Sequence, residues 1–155
     1  MKAVLLLASP TRDSPLACAY AIERARALGA ELVVAAVLDP AVGDRVSRKL
    51  DERAFVGEKV TESVVCCLER DLRIQGEELV QAIAAQARAA GVGVTTRIEE
   101  GELSDVAGRC CGGREIAVVV VAAEKRSWVG RLFAADADVQ RRLRLPHCEI
   151  KVIEG

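Results

Sequence analysis

The side chains best suited to hold a ligand collect after two apolar runs of the sequence. They carry hydroxyl, carboxylate and cationic groups, and the set comprises Ser9, Thr11, Asp13, Lys125, Arg126 and Ser127. Hydroxyl groups donate hydrogen bonds, and lysine and arginine hold negative charge. The six residues are therefore a candidate pocket for an anion or another polar ligand. The competing interpretation is that residues 124–126 form an ordinary charged loop in solvent.

No motif of a common catalytic or phosphate-binding site occurs in the sequence. The dinucleotide fingerprint Gly-x-Gly-x-x-Gly, the phosphate loop Gly-x-x-x-x-Gly-Lys-Ser/Thr and the serine nucleophile elbow are all absent. The single histidine, His147, follows the helix-breaking Pro146, and no serine or cysteine is obviously arranged to use it as a base. One histidine also argues against a zinc or non-haem iron centre. We predict no catalytic residue, no metal site and no cofactor.

The cysteines include two adjacent pairs. The six are Cys18, Cys66, Cys67, Cys110, Cys111 and Cys148, with no Cys-x-x-Cys motif among them. Neighbouring residues on a helix point in different directions, so an adjacent pair does not easily share a tetrahedral metal site. We interpret the thiols as reduced fillers of the core and of helices. The alternative is a thiol-based redox or soft-metal sensor that uses Cys66 and Cys67 or Cys110 and Cys111, which would need a low thiol pKa near cationic groups. Arg109 and Arg114 flank the second pair.

The composition indicates a folded chain of ordinary domain size. Of 155 residues, 51% are hydrophobic but only 3% are aromatic, so small aliphatic side chains must build the core. The formal net charge of -1 gives no basic surface for nucleic acid. The first apolar run is cut by Pro10 and Arg12 before it reaches the length of a signal peptide or a membrane span. We expect one domain over residues 1–155, located in the cytoplasm, with neither nucleic acid nor a membrane as partner.

Strand and helix patterns alternate along the chain. Continuous apolar runs predict strands at residues 2–8, 31–38 and 116–123, and two further strands are predicted at 92–98 and 148–153. Helical periodicity predicts helices at 15–28, 58–90, 103–111 and about 131–145, with a loop and a short helical turn at 41–57. In the first helix, a three-residue step places a buried face on Leu16, Ala19, Ile22, Ala25 and Leu28.

This alternation predicts a three-layer α/β domain with a five-stranded parallel sheet and right-handed crossovers. In such a sheet, ligands bind beyond the carboxyl ends of the strands, at the point where the strand order reverses. The loops after Ala8, Leu38 and Ala123 are therefore the expected place for a site.

The element order and the phrase Arg-Ala-Leu-Gly-Ala-Glu-Leu at residues 26–32, which joins the first helix to the second strand, resemble the universal stress protein family. The resemblance covers almost the whole chain. It implies the α/β fold of the adenine nucleotide alpha hydrolase type and a homodimer formed through the last strand. It also implies a regulatory or binding module of the stress response that acts on an unidentified client protein and is not an enzyme.

The family divides into members that bind ATP and members that do not. ATP-binding members carry an aspartate directly after the first strand, and this chain has Ser9 there. Their later motif of three glycines and a hydroxyl residue falls on Ala122, Lys125, Ala135 and Asp136. Glycine lets backbone N–H groups approach a triphosphate, whereas Asp136 would repel it. The chain therefore resembles the type that does not bind ATP.

Two alternative functions for a protein of this fold remain to be considered. One is a nucleotide- or anion-binding relative with weak ATPase activity, which would need the missing glycines. The other is an adenylating enzyme of the related pyrophosphatase group, whose loop after the first strand resembles Ser-Gly-Gly-x-Asp-Ser. The loop at residues 9–14 shares the end of that motif but lacks its glycines.

The last predicted strand offers the expected dimer edge. It ends close to residue 155, so it would lie at a border of the sheet with unpaired backbone groups. Ile150 and Val152 share one face by the two-residue period of a strand, and Lys151 points to the other face. Pairing with the same strand of a second copy would satisfy the open edge under two-fold symmetry.

Overall fold

The structure is a computed structural model that describes residues 2–10, 12, 14–52, 57–122 and 149–153. The elements in these ranges are β1 (Lys2–Ala8), α1 (Pro15–Leu28), β2 (Glu31–Leu38), α2 (Ala41–Asp51), α3 (Glu58–Ala89), β3 (Val94–Glu100), α4 (Leu103–Cys111), β4 (Glu115–Ala122) and β5 (Glu149–Ile153). The helix predicted at about 131–145, His147 and Cys148 lie outside the described residues.

The five strands form one parallel sheet in the order β3-β2-β1-β4-β5. This confirms the predicted five-stranded parallel α/β architecture. The central strand β1 is buried on both faces, as its continuous apolar sequence requires. Side chains of α1 and α3 fill the core on one face of the sheet, and those of α4 fill the core on the other face.

Helix α1 has the predicted bounds. The Ser14 hydroxyl accepts a hydrogen bond from the backbone N–H of Ala17 at 3.2 Å, and Gly29 ends the helix with a left-handed φ of 60°. The predicted buried face is wrong in part, because Leu16 is 60% exposed and Leu28 is also exposed. Ile22 and Ala25 of the predicted set are buried, and Ala17, Cys18 and Ala21 complete the face that meets the core.

Helix α2 replaces the loop predicted for this region. The Asp39 carboxylate accepts a hydrogen bond from the N–H of Ala41 at 2.9 Å, which satisfies one donor at the helix start. Gly43 is buried against α3, where an added Cβ would lie 3.1 Å from a Glu69 carboxylate oxygen and 3.3 Å from Val65. The four-residue spacing of Val42, Val46 and Leu50 also favours a helix here, and the prediction of a loop overlooked it.

Helix α3 runs for 32 residues, about 48 Å, roughly twice the length of the strands beside it. Gly76 is buried over β2, and the side chains of Ala36 and Leu38 lie at ordinary contact distance from its position. Most buried positions of α3 follow Gly76, whereas Val60 is 57% exposed and Val64 is also exposed. The second half of the helix thus covers the sheet, and β3 then begins at Val94, later than the sequence predicted.

None of the helices in the described ranges combines the length and the apolar character that a membrane span requires.

An ion pair ties three elements together at the amino ends of the strands. The Glu31 carboxylate at the start of β2 accepts a hydrogen bond from the Thr95 hydroxyl of β3. The Arg114 guanidinium, just before β4, donates to the other Glu31 oxygen at 3.0 Å. The Thr95 hydrogen bond holds the pKa of the Glu31 carboxyl below its usual value, burial opposes this shift, and the charge and hydrogen bond of Arg114 support it.

We expect this group to contribute stability above the pKa of Glu31 in the unfolded chain, about 4.3, and to lose it as the pH falls through the lower folded-state pKa. The reason is that protonation removes the charge that Thr95 and Arg114 stabilise. Glu31→Gln removes that titration, so its free energy of unfolding should change less than that of the wild type between about pH 7 and pH 3. Urea unfolding at both pH values measures the difference. Equal pH dependence of the two proteins would contradict the assignment.

Candidate functional site

The strand order reverses between β1 and β4. The chain moves from β1 outwards through β2 to β3, and α4 then carries it back across the sheet to β4 on the other side of β1. Loops that leave neighbouring strands in opposite directions open a crevice beyond their carboxyl ends. Ser9 and Ala122 lie at these ends, so the structure describes the base of the expected site.

Ser9 lies where the sequence placed it, directly after β1, and it is 7% exposed. Its N–H donates to the carbonyl oxygen of Arg12 at 3.2 Å, and the N–H of Arg12 donates back to the Ser9 carbonyl oxygen at 2.9 Å. These two hydrogen bonds pair Ser9 with Arg12 in an isolated antiparallel bridge. The bridge fixes the backbone of Arg12 next to the end of β1.

Arg12 spans the crevice. One of its guanidinium nitrogens, Nη1, donates to the carbonyl oxygen of Ala122 at 3.4 Å. This contact joins the loop after β1 to the last residue of β4, and it is partly buried. A permanently charged, bulky group therefore lies across the base of the site. Sequence reasoning did not select Arg12, although its place in the loop after the first strand was a signal.

The other polar groups described near this edge serve local structure. The Ser14 hydroxyl, from the same loop as Ser9, is buried and caps α1. The carboxylate of Asp39, in the loop after β2, holds the first turn of α2. Of the six predicted pocket residues, only Ser9 lies within the described ranges. Thr11, Asp13, Lys125, Arg126 and Ser127 lie outside them.

The thiols within the described ranges are unbridged and fall into two environments. Cys18 and Cys110 are buried, Cys111 is half-buried, and Cys66 and Cys67 are exposed on α3. Burial raises the pKa of the Cys110 thiol, which disfavours the reactive thiolate. In these same ranges, no group of three or more His, Cys, Asp or Glu side chains is arranged to hold a metal ion.

The strand β5 forms one border of the sheet. It pairs with β4 in parallel, and Val152 lies opposite Val121. Ile150 and Val152 pack against the core on the α4 face, while Lys151 is exposed. The Glu149 carboxylate lies 3.5 Å from the Arg24 guanidinium of α1.

The same fold occurs in solved universal stress proteins. UspA from Lactobacillus plantarum matches with a TM-score of 0.69 at 15% identity over 98% of this chain and 97% of that one. A universal stress protein in complex with cAMP matches with a TM-score of 0.60 at 16% identity over 99% and 96%. The universal stress protein from Archaeoglobus fulgidus in complex with dAMP matches with a TM-score of 0.55 at 14% identity over 99% and 97%.

No curated protein is significantly similar to the chain in sequence. The model of the universal stress protein family, by contrast, matches residues 1–138. Because this match covers most of the sequence and the sheet has the fold of solved members, the chain belongs to the universal stress protein family.

Proposed function

We propose that the chain is a homodimeric, cytoplasmic binding or regulatory module of the stress response, that it is not an enzyme, and that it does not bind ATP. The observation that carries the proposal is the Arg12 guanidinium across the crevice between β1 and β4. Its client is another protein, and β5 is the edge through which two copies associate.

The residues described at the crevice do not fit ATP as the ATP-binding relatives hold it. Those relatives carry an acid where this chain has the buried Ser9. The Arg12 guanidinium contacts the end of β4 across the crevice, so a nucleotide that lay there would have to displace it. The sequence adds Asp136 in place of a phosphate-binding hydroxyl, and its negative charge opposes a triphosphate. The loss of an acid, the added bulk and the added negative charge all act against ATP.

A nucleotide with one phosphate is the second candidate ligand. Structural neighbours of this chain have been solved with cAMP and with dAMP. A single phosphate carries less negative charge than a triphosphate, so the charge of Asp136 opposes it less. Arg12 would then have to move from the Ala122 carbonyl or to contact the ligand itself.

A thiol sensor has less support than a module that does not bind ATP or a module that binds a nucleotide with one phosphate. A redox-sensing thiol needs a lowered pKa and access to solvent. Cys110 has the opposite properties, since it is buried and its pKa is raised. Cys66 and Cys67 are exposed, but adjacent positions on α3 direct their side chains about 100° apart.

We expect calorimetric titration of the purified protein to show no ATP binding up to about 1 mM. The physical reason is that Arg12 lies across the crevice and that the chain lacks the acid and the glycines with which its ATP-binding relatives hold the nucleotide. A dissociation constant in the micromolar range would contradict the proposal. AMP titrated in parallel decides the second candidate.

The variant Arg12→Ala is the matched control in both titrations. It removes the guanidinium and leaves every residue of the family motif as it is. ATP binding that appears only in this variant would show that Arg12 excludes the nucleotide. If Arg12→Ala also fails to bind ATP, the absence of the family's motif residues is sufficient to prevent binding.

A further inference from the structure

The edge of β5 that pairs with no other strand of the described residues carries opposite charges on one face. Ile150 and Val152 pack on the α4 side of the sheet, whereas Ile153 packs with the core on the α1 side. Strand alternation therefore places Glu149 and Lys151 on the α1 side together with Ile153. The contact of Glu149 with Arg24 of α1 agrees with this placement. Both charged side chains are exposed.

A two-fold axis at the edge can place these charges opposite each other. Two copies of one strand related by a two-fold axis perpendicular to the sheet pair in antiparallel fashion. When Ile150 lies on the axis, Glu149 lies directly opposite Lys151 of the partner subunit. The symmetry repeats this pair, so the interface gains two attractive contacts of opposite charge.

Neighbouring registers lose this advantage. Directly opposed residues of an antiparallel pair lie on the same face of the sheet. The two-fold axis must therefore pass beside a residue, and the alternative registers place it beside Lys151 or Val152. With the axis at Lys151, the ammonium groups of Lys151 and of Lys151 of the partner subunit face each other, and like charges repel. With the axis at Val152, Lys151 lies opposite Ile153 of the partner subunit. Charge complementarity therefore favours Ile150 on the axis.

We propose that the two β5 edges of the homodimer pair in the register that places Glu149 opposite Lys151 of the partner subunit. The inference rests on the proposed homodimer and specifies its geometry. Glu149 lies between Arg24 of its own chain and Lys151 of the partner subunit, so one carboxylate serves both cations. Because Glu149 and Lys151 carry opposite charges on one face of β5, two copies of the strand match each other in charge in this register.

Charge reversal tests the register by sedimentation. Glu149→Lys and Lys151→Glu each place like charges opposite each other twice, and each should weaken the dimer by about tenfold or more. The double variant Glu149→Lys/Lys151→Glu restores both attractive pairs and should regain affinity close to that of the wild type. An equimolar mixture of the two single variants should form a heterodimer, because both cross-pairs are then attractive.

The controls distinguish a loss of charge pairing from a failure to fold, and a wrong register from the absence of a dimer. Lys151→Ala removes the attraction without adding repulsion, so its effect should be smaller than that of Lys151→Glu. A dimeric wild type whose single reversals are neutral, or whose double variant is not restored, overturns the register but leaves the homodimer intact. A wild type that is monomeric throughout overturns both. If Glu149→Lys fails to fold through loss of the Arg24 contact, Lys151→Glu and the double variant still decide the register.

Discussion

Leu6→Ala is expected to lower the free energy of unfolding by about 2–5 kcal/mol. Leu6 is completely buried in β1, the middle strand of the sheet, and it packs in the core between the sheet and helices α1 and α3. The substitution removes apolar burial and leaves a cavity that the surrounding strands cannot close. Urea unfolding at neutral pH should show a lower midpoint with an unchanged slope.

Leu16→Ala is the matched control, since it makes the same chemical change at a position that is 60% exposed. Its free energy of unfolding should lie within about 0.5 kcal/mol of the wild-type value. Similar losses in the two variants would show that the exposed side of α1 is covered by something else. A small loss at Leu6 would contradict the burial of β1 on both faces.

The exposed position of Leu16 also shows how far the sequence alone can define a helix face. The cap at Ser14, the first-turn Pro15 and the stop at Gly29 are local signals, and they predicted the helix bounds correctly. The buried face was misassigned because the large apolar side chains follow a three-residue step, which rotates around a helix of 3.6 residues per turn. The face that meets the sheet is built largely from alanine, whose low hydrophobicity is a weak signal.

Helix α2 was not predicted for a different reason. Its apolar residues Val42, Val46 and Leu50 recur at four-residue steps, but the charged residues between them hid this stripe in a segment that is polar on average. The support it receives is tertiary, since it packs on α3 at Gly43. A short polar helix forms where a neighbour stabilises it, and a sequence pattern contains no direct record of that neighbour.

The candidate site also has one part that the local sequence predicted and one part that depends on tertiary contacts. The position of Ser9 followed from the length of the first apolar run, a local property. The contact of Arg12 with Ala122 joins residues 110 positions apart, and it depends on the pairing of Ser9 with Arg12 and on the placement of β4 beside β1. Sequence reasoning therefore found the edge of the sheet and the loop but missed the side chain that crosses between them.

Val152→Pro is expected to convert the proposed dimer to a monomer or to destabilise the fold. Val152 pairs with Val121 of β4 on one side, and its strand borders the sheet on the other. The N–H groups of successive residues in a strand point to opposite neighbours, so the N–H of Val152 serves either β4 or the edge. Proline has no N–H and removes that hydrogen bond, which contributes about 1 kcal/mol.

Two controls and two measurements identify which side of β5 the N–H serves. Val152→Ala keeps the N–H while reducing apolar burial on the α4 face. Lys151→Ala also keeps the N–H and should affect the fold little and the dimer less than Val152→Pro does. Sedimentation of all three variants beside the wild type reports the dimer, and urea unfolding reports the fold. A monomeric Val152→Pro protein of nearly normal stability would assign the N–H to the partner edge, because proline is tolerated at an edge whose N–H faces solvent. A destabilised variant would assign the N–H to β4. A Val152→Pro protein that stays a stable dimer would show that the interface lies elsewhere on the molecule.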